Sequence, residues 1–316
     1  MDTYAQRAAE VVRQVERALF GKAREIREVL LAVLANGHIL LEDIPGVGKT
    51  TLAMAFSKTL DLEYRRVQFT PDVLPSDLTG FSVYRREQEA FVYQPGIVFC
   101  NLLLADELNR TSPKTQSALL EAMQEGQVTA EGVTRKLPEP FLVIATQNPL
   151  GSAGTQPLPE SEADRFAVSL SLGYPDLESE LSMARSVGVT RPVDALWPVL
   201  SRAELLAMQT AIHDVYIHEK VYRYLTELVR ATRNHVNVAQ GAGPRATIAL
   251  VKLSKAAAWY EGRDFVTPAD VLEQFPYVAA HRLTLNANAL TRHITVRETL
   301  QQIAGSVRKP PIEARR

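Results

Sequence analysis

The most informative stretch of this sequence is LEDIPGVGKTTLA, residues 41–53. Its second half follows the pattern of a phosphate-binding loop, with Gly48, Lys49 and Thr50 in consecutive positions. Asp43 stands where that pattern has its first glycine. This position is the strand exit, farthest from the phosphates, so a carboxylate is tolerated there if it turns away. The stretch is therefore either a nucleotide site with an unusual start or a glycine turn that opens an ordinary helix.

A nucleotide site would give each residue of the loop a separate task. A phosphate cradle needs backbone N–H groups that point inward and a helix N-terminus aimed at the anion. Gly46 and Gly48 are the positions where a Cβ would hold the backbone away from the phosphate oxygens, and Pro45 stiffens the entry. Lys49 would reach the β- and γ-phosphates, and the Thr50 hydroxyl would ligate Mg²⁺.

Two adjacent carboxylates end the apolar run LLLADE, residues 102–107. In a strand, the side chains of Asp106 and Glu107 would point to opposite sides, so the pair would serve two purposes. Asp106 would hold Mg²⁺ through water, and Glu107 would polarise the attacking water. A strand that ends in charge is common, but one that follows a GKT loop at this interval indicates a nucleotide hydrolase.

Three further signals are weaker when taken singly. Asn148, in ATQNP, supplies a neutral amide that can orient water against a γ-phosphate, although Asn-Pro is also a frequent turn. Arg165, in EADRF, precedes the last predicted strand. Pro244 opens a helix with Arg245 in its first turn, where a positive charge opposes the helix dipole. An anion in front of that helix would explain Arg245, and a surface arginine is the alternative.

The first half of the chain alternates short apolar runs with helix-like segments. The predicted strands lie at residues 38–43, 65–70, 101–107, 141–149 and 165–172. Strands that are apolar on both faces and alternate with helices predict an α/β fold with a parallel sheet covered by helices. Between the third and fourth strands, Ser112, Pro113 and Gly126 are the predicted cap, first turn and end of one helix.

The second half of the chain has a different character. From about Glu178 the segments are long, amphipathic and without strand signals, which predicts an all-helical domain. We therefore expect an α/β nucleotide-binding domain at 1–174, a helical domain at 175–308 and a basic flexible tail at 309–316.

The bulk composition excludes several classes of protein. The net charge of −1 and the absence of an aromatic-basic stripe give no electrostatic case for nucleic-acid binding. No apolar run approaches a membrane span or a signal core, and Cys100 is the single cysteine, so we expect a cytoplasmic protein without disulfides. No HExxH or GxSxG pattern supports a zinc hydrolase or a serine hydrolase.

These motifs together resemble the AAA+ ATPases, and within them the MoxR family. The resemblance covers nearly the whole chain and rests on the following stretches: LEDIPGVGKT, RVQFTPDVLPSDLTG, QPGIVF, LLLADELNRTSPKTQSALLEAMQEGQVT, VIATQNP, LPESEADRF, GPRAT and GRDFVTPADV. The loop of that family characteristically begins Glu-Asp, so Asp43 departs from the general pattern but not from this family. The resemblance implies an α/β domain with a helical lid, ATP and Mg²⁺ as cofactors, and assembly into a ring that is usually a hexamer.

The resemblance also implies roles for individual residues. Asn148 matches sensor 1, Arg165 the arginine finger, Arg245 sensor 2, and Glu107 the catalytic Walker B carboxylate. The implied nucleotide-binding set is Phe20 and Gly21 beside the adenine, the loop residues Pro45, Gly46, Val47, Gly48, Lys49, Thr50 and Thr51, and Asp106, with Thr50 and Asp106 at the metal.

The resemblance also predicts the nature of two inserted segments and the process that ATP hydrolysis drives. Residues 70–99 match a helix-2 insert and residues 126–141 a pre-sensor-1 hairpin turning at Glu131-Gly132, and plain hairpins are the alternative. The resemblance favours a chaperone-like remodeller of partner proteins, which often carry a von Willebrand factor A domain on a separate chain. A nucleic-acid motor and a nucleotide-gated scaffold with little turnover are the rival outputs.

Overall fold

The computed structural model describes residues 2–147, 158–185 and 192–311. The strands are β1 (Ile39–Glu42), β2 (Tyr64–Gln68), β3 (Gly80–Arg85), β4 (Ala90–Pro95), β5 (Leu102–Asp106), β6 (Gln127–Ala130), β7 (Val133–Lys136), β8 (Leu142–Gln147), β9 (Val168–Leu170), β10 (Val238–Gln240) and β11 (Thr284–Leu285). The α-helices are α1 (Asp2–Glu16), α2 (Ala23–Leu34), α3 (Lys49–Thr59), α4 (Pro75–Thr79), α5 (Pro113–Glu125), α6 (Glu160–Ala163), α7 (Leu177–Arg185), α8 (Arg202–His213), α9 (Glu219–Arg233), α10 (Pro244–Tyr260), α11 (Pro268–Ala279), α12 (Ala287–Thr291) and α13 (Val296–Ser306).

The five predicted strands form one parallel sheet in the order β2-β5-β8-β1-β9. Alternate residues of each strand enter different cores. Leu102 and Leu104 belong to the core on the side of α2, α3 and the C-terminal helices, whereas Leu103 and Ala105 belong to the core on the side of α5. The sheet is therefore buried on both faces, and the predicted α/β class is confirmed.

The topology brings the polar strand ends to one edge of the sheet. Because all five strands are parallel, Glu42, Gln68, Asp106 and Gln147 lie at the same carboxyl edge. In open parallel sheets this edge is where ligands bind. The glycine loop leaves β1 at this edge and leads directly into α3.

The N-cap, first turn and end predicted for α5 are confirmed. Ser112 is the N-cap and its hydroxyl accepts a hydrogen bond from the Thr115 N–H at 3.3 Å. Pro113 occupies the first turn, and Gly126 ends the helix in the left-handed conformation with φ 61°. These residues fix α5 between β5 and the hairpin that follows it.

Two antiparallel hairpins lie beside the sheet and contact each other. The segment 70–99 contains α4 and the hairpin β3–β4, and β6–β7 turns at Glu131-Gly132, where both residues have positive φ. The Glu131 carboxylate accepts hydrogen bonds from the backbone N–H of Ser82, at 2.9 Å, and from its hydroxyl. The Arg135 guanidinium lies 3.6 Å from the centre of the Tyr93 ring. The two hairpins are thus joined by polar and cation–π contacts.

The C-terminal region is helical, as the sequence predicts, with one addition. The short strands β10 and β11 form a two-stranded antiparallel ribbon that the amphipathic pattern does not reveal. Of the predicted tail, residues 312–316 lie outside the described residues, and α13 ends before it at Ser306. None of the helices in the described ranges has the length and apolar character of a membrane-spanning segment.

Candidate functional site

The glycine loop has the backbone that its sequence predicts. Gly46 and Gly48 have φ of 89° and 99°. In this left-handed region the backbone of a residue with a Cβ is strained. At Gly48 a Cβ would also lie 2.6 Å from Cδ1 of Leu19. Gly48 is the N-cap of α3, and the first turn of that helix carries no acidic residue. The positive end of the helix dipole therefore remains available to an anion.

Asp43 explains the unusual start of the loop. Its carboxylate is buried and turns away from the loop towards the chain that leaves β9. It accepts hydrogen bonds from the Ser171 hydroxyl at 2.7 Å and from the backbone N–H groups of Leu172 at 2.5 Å and Gly173 at 3.1 Å. A glycine would leave these donors without an acceptor. Asp43 thus ties the start of the loop to the segment that leads into the helical region.

Lys49 is buried at the start of α3. Its Nζ donates to the carbonyl oxygens of Asp43 at 2.8 Å and Ile44 at 3.4 Å. Burial lowers the pKa of Lys49, and the carboxylates of Asp43, Asp106 and Glu107 oppose that shift. The ammonium group is therefore surrounded by oxygen acceptors at the base of the loop.

A cavity of about 340 Å³ opens in front of the loop. We name it the glycine-loop cavity. Its lining residues are Pro45, Gly46, Gly48, Lys49, Thr50, Thr51, Arg66, Asp106 and Glu107. The glycine loop and both predicted Walker B carboxylates therefore face one space. Val47 packs instead against the hydrophobic core behind the loop.

Asp106 is the last residue of β5 and uses its two oxygens differently. Oδ1 accepts a hydrogen bond from the Thr146 hydroxyl at 2.7 Å. Oδ2 forms an ion pair with Nη2 of Arg66 at 2.6 Å. Thr146 is fully buried on the neighbouring strand β8, so it fixes the carboxylate from within the sheet.

Glu107 lies just beyond the strand, and here the sequence-based expectation was wrong. The expectation was that adjacent strand residues would face opposite sides, but β5 ends at Asp106 and Glu107 adopts a left-handed conformation with φ 57°. That bend turns both carboxylates towards the same cavity. The Glu107 N–H donates to the Thr146 hydroxyl at 2.8 Å, and its carboxylate accepts from Arg110 at 2.8 Å.

The segment predicted to contact the adenine lies against the loop without lining its cavity. Phe20 is half-buried, and its neighbour Leu19 contacts Gly48. Gly21 has φ 68°, and a Cβ there would lie 2.1 Å from the Ser179 hydroxyl. The turn between α1 and α2 is thus packed between the glycine loop and the start of α7. Asn148, the predicted sensor 1 residue, lies outside the described residues.

Arg165 and Arg245 line a second cavity, of about 170 Å³, which we name the arginine cavity. Neither arginine lines the glycine-loop cavity. The Asp164 carboxylate lies 3.6 Å from Nη1 of Arg245, in the first turn of α10. Its other oxygen is 2.7 Å from Nε of the buried Arg282. Within the described residues, the buried Nε of Arg165 has no hydrogen-bond partner.

Local pairing does not account for Arg165. Two acidic residues, Glu162 and Asp164, lie close to it in the sequence, but Asp164 pairs with Arg245 and Arg282 instead. Burial raises the pKa of Glu162, and the nearby charge of Arg165 opposes that shift without a hydrogen bond to Nε. Arg165 therefore lines a cavity beside other cations, with one of its donors unused by any described residue.

Sequence reasoning missed Arg66, Thr146 and Arg110, which hold the two carboxylates. Arg66 and Gln68 are two apart on β2 and so share a face, and Gln68 stands opposite Asp106 in the sheet. The sequence contains this spacing but not the neighbour relation between β2 and β5, because β5 follows β2 only after the two inserted strands β3 and β4. Thr146 was part of a recognised strand, yet its role depends on the pairing of β8 with β5.

Two family models match the chain. The model described as "ATPase family associated with various cellular activities (AAA)" matches residues 38–168, and an AAA lid domain matches residues 230–303. A solved structure of a putative ATPase from Cytophaga hutchinsonii superposes with a TM-score of 0.90 at 39% identity, covering 98% of this chain and 96% of that one.

The relatives extend along nearly the full chain. An uncharacterized protein YeaC of Bacillus subtilis is 42% identical over 95% of this chain and 93% of its own length. Chaperone MoxR1 of Mycobacterium tuberculosis is 39% identical, over 95% and 82% respectively. Protein MoxR of Methylorubrum extorquens is 31% identical over 88% of each chain. With the AAA core and lid both matched, the chain belongs to the MoxR family of AAA ATPases.

Proposed function

We propose that this protein binds ATP with Mg²⁺ in the glycine-loop cavity and hydrolyses it. One observation carries the proposal: a glycine loop at a helix N-terminus faces two adjacent carboxylates across a cavity of about 340 Å³. The loop supplies phosphate binding and the carboxylates supply metal and water activation, and hydrolysis needs both. A glycine turn that merely opened a helix would have no reason to face Asp106 and Glu107.

The residues present fit the two cofactors. Thr50 and Asp106 offer oxygen ligands of the kind that Mg²⁺ prefers. Protein sites for this ion commonly contribute only one or two ligands, and within the described ranges no cluster of three or more His, Cys, Asp or Glu could hold a metal alone. Bound Mg²⁺ neutralises charge on the phosphates. Lys49 would bind the β- and γ-phosphates, and Glu107 would orient and deprotonate the attacking water.

The arginine cavity supports a ring rather than a lone subunit. Arg165 and Arg245 line a cavity other than the one where this chain would hold its own phosphates. Both would therefore act on nucleotide bound by a neighbouring copy, as an arginine finger supplied in trans does. A hexamer is the assembly that the family resemblance favours.

The output that we favour is chaperone-like remodelling of partner proteins. A relative that is 39% identical carries the name Chaperone MoxR1. A partner with a von Willebrand factor A domain would be a separate chain. The near-neutral charge argues against a nucleic-acid motor. A severalfold stimulation of ATP hydrolysis by DNA or RNA at physiological salt would favour the motor instead.

Calorimetry tests the nucleotide site. We expect Lys49→Ala to abolish detectable ATP binding, because the cradle loses the charge that meets the phosphates. Lys58→Ala is the matched control, since Lys58 lies at the other end of α3 and pairs with Asp194 at 3.1 Å. Near-normal affinity in the Lys49 variant would exclude the glycine loop as the phosphate site.

The two carboxylates are separated by a second pair of variants. We expect Glu107→Gln to bind Mg²⁺ and ATP and to lose hydrolysis, whereas Asp106→Asn should also weaken the dependence of binding on Mg²⁺. Equal loss of Mg²⁺-dependent binding in both variants would contradict these roles. If Glu107→Gln hydrolysed ATP as fast as an active wild type, Glu107 would not be the residue that activates water. If the wild type bound ATP and hydrolysed hardly any, the scaffold with little turnover would become the better description.

A further inference from the structure

We propose that Arg66 is a latch on Asp106, a guanidinium that competes with Mg²⁺ for the carboxylate and so sets the Mg²⁺ concentration that the site requires. This inference rests on the proposed function, because it assumes that Mg²⁺ and ATP bind in the glycine-loop cavity. Arg66 lies in β2. It belongs neither to the glycine loop nor to the pair of carboxylates at the end of β5.

The position of Arg66 follows from the pairing of β2 with β5. Gln68 stands opposite Asp106, and Arg66 stands opposite Leu104, so all four side chains share the face of the sheet that carries α3. From there Arg66 reaches along the strand to Oδ2 of Asp106, at 2.6 Å, and lines the glycine-loop cavity. The neighbouring residue Arg65 points to the opposite face.

The two oxygens of Asp106 have different partners and surroundings. Oδ1 accepts from the buried Thr146 hydroxyl, which also accepts from the Glu107 N–H. Oδ1 thus faces the buried side chain of a neighbouring strand. Oδ2 is therefore the oxygen available to a water of hydrated Mg²⁺, and it is the oxygen that Arg66 holds. A dication approaching Oδ2 meets the positive charge of the guanidinium at close range.

The Arg66–Asp106 ion pair is exposed enough to water for the two side chains to separate at little cost. The Arg66 side chain is 42% exposed, and a pair of this kind contributes little to folding because water solvates the arginine well. The Arg282–Asp164 pair is the contrast. Arg282 is 3% exposed and also donates to the backbone carbonyls of Asp164 and Phe166, so it is built into the fold. Arg66 can leave its carboxylate at small cost, and Arg282 cannot.

The test measures binding rather than turnover. Mg²⁺ is titrated into protein mixed with a fluorescent non-hydrolysable ATP analogue, and the Mg²⁺ concentration at half-saturation is determined. We expect Arg66→Gln to lower that concentration about threefold to tenfold, because the competing cation is gone. Arg65→Ala is the matched control, since Arg65 pairs with Glu63 and donates to the Gly96 carbonyl, away from the cavity. It should leave the Mg²⁺ requirement unchanged.

A second variant covers a failure of Arg66→Gln to fold. Arg66→Lys keeps the charge but loses the planar fork, so its Mg²⁺ requirement should fall between that of the wild type and Arg66→Gln. An unchanged requirement in either folded variant overturns the latch. An increased requirement also overturns it and makes Arg66 a phosphate ligand. If the wild type binds no analogue at any Mg²⁺ concentration, the proposed function itself has failed, which is a distinguishable result.

Discussion

The two cavities differ in how their charges are balanced. In the glycine-loop cavity each charged group has a partner within the chain: Lys49 binds carbonyl oxygens, Asp106 binds Arg66 and Glu107 binds Arg110. The arginine cavity holds an excess of positive charge. Its charged lining residues are Asp164, Arg165, Arg245, Lys252 and Arg282.

This difference is what we expect if each chain carries two halves of different sites, as proposed above. A cavity with four basic side chains and one carboxylate is suited to an anion from outside the chain. The glycine-loop cavity is suited to hold such an anion and to present it. Two copies arranged so that one chain's arginine cavity meets the next chain's glycine-loop cavity would complete both. Three experiments test this arrangement.

The largest effect is expected from separating the two halves by mutation. Arg165→Ala and Glu107→Gln should each reduce ATP hydrolysis strongly, and loss of an arginine finger costs about 10³–10⁵ in rate. Mixing the two variants should restore activity, because some interfaces then join an intact Glu107 to an intact Arg165. ATP hydrolysis is measured after subunit exchange has been verified by native mass spectrometry.

The control for the mixing experiment is the double variant Arg165→Ala/Glu107→Gln. Mixed with either single variant, it forms no interface with both groups intact, so activity should stay absent. If mixed assemblies of the two single variants form and remain inactive, Arg165 does not act across an interface. The two cavities would then belong to unrelated parts of the molecule.

The second-largest effect is a loss of stability expected when Asp43, at the start of the glycine loop, is replaced. Asp43→Gly restores the general form of the loop motif, yet we expect it to lower the free energy of unfolding by roughly 3 kcal/mol, because buried donors near β9 lose their acceptor. Urea denaturation measures the loss. Asp61→Gly is the matched control, since Asp61 is exposed and has φ 49°, a conformation that glycine adopts readily.

The control substitution should be neutral or slightly stabilising. If both aspartates tolerate glycine equally, the bonds from Asp43 to the chain after β9 contribute nothing to stability. A glycine at position 43, as in the general phosphate-binding loop, would then suit this fold as well as Asp43 does.

Much of the fold was predictable from the sequence because it depends on local patterns. Apolar runs predicted all five strands of the sheet, and Ser112, Pro113 and Gly126 marked α5 correctly because caps and stops act within a few residues. The glycine loop was also local. Its glycines at positive φ and the helix that follows were fixed by one short stretch.

The rest required knowledge of which elements are neighbours in space. The contacts of Asp106 with Arg66 and Thr146 depend on the strand order β2-β5-β8, which no local pattern specifies. The bend at Glu107 replaced the alternation expected of a longer strand. The β10–β11 ribbon joins five residues across two helices and was too short for a periodic signal.

The smallest effect concerns His38, which lines the arginine cavity. Its Nδ1 accepts a hydrogen bond from the Val143 N–H at 3.1 Å, and Nε2 contacts the Met123 carbonyl at 2.9 Å, as a neutral ring requires. Burial, and to a smaller degree the charge of Lys252, lowers the pKa of His38 to about 4, while the Met123 carbonyl opposes that shift. Protonation of Nδ1 would remove its acceptor function and add a positive charge beside four others.

The sign of the pH effect follows from this lowered pKa. An unfolded histidine titrates near ~6.5, so the contribution of neutral His38 to stability is fully present above that pH and is lost as the pH falls towards about 4. We expect a loss of about 1–2 kcal/mol in the free energy of unfolding between pH 7 and pH 4.5, allowing for the half-buried position of the ring. Urea denaturation at both pH values should show a smaller loss in His38→Gln. His213→Gln is the control, since the His213 side chain is 88% exposed and lies outside the arginine cavity. A pH dependence that is the same in all three proteins would mean that the arginine cavity accommodates a further positive charge without cost, contrary to the charge excess inferred for it.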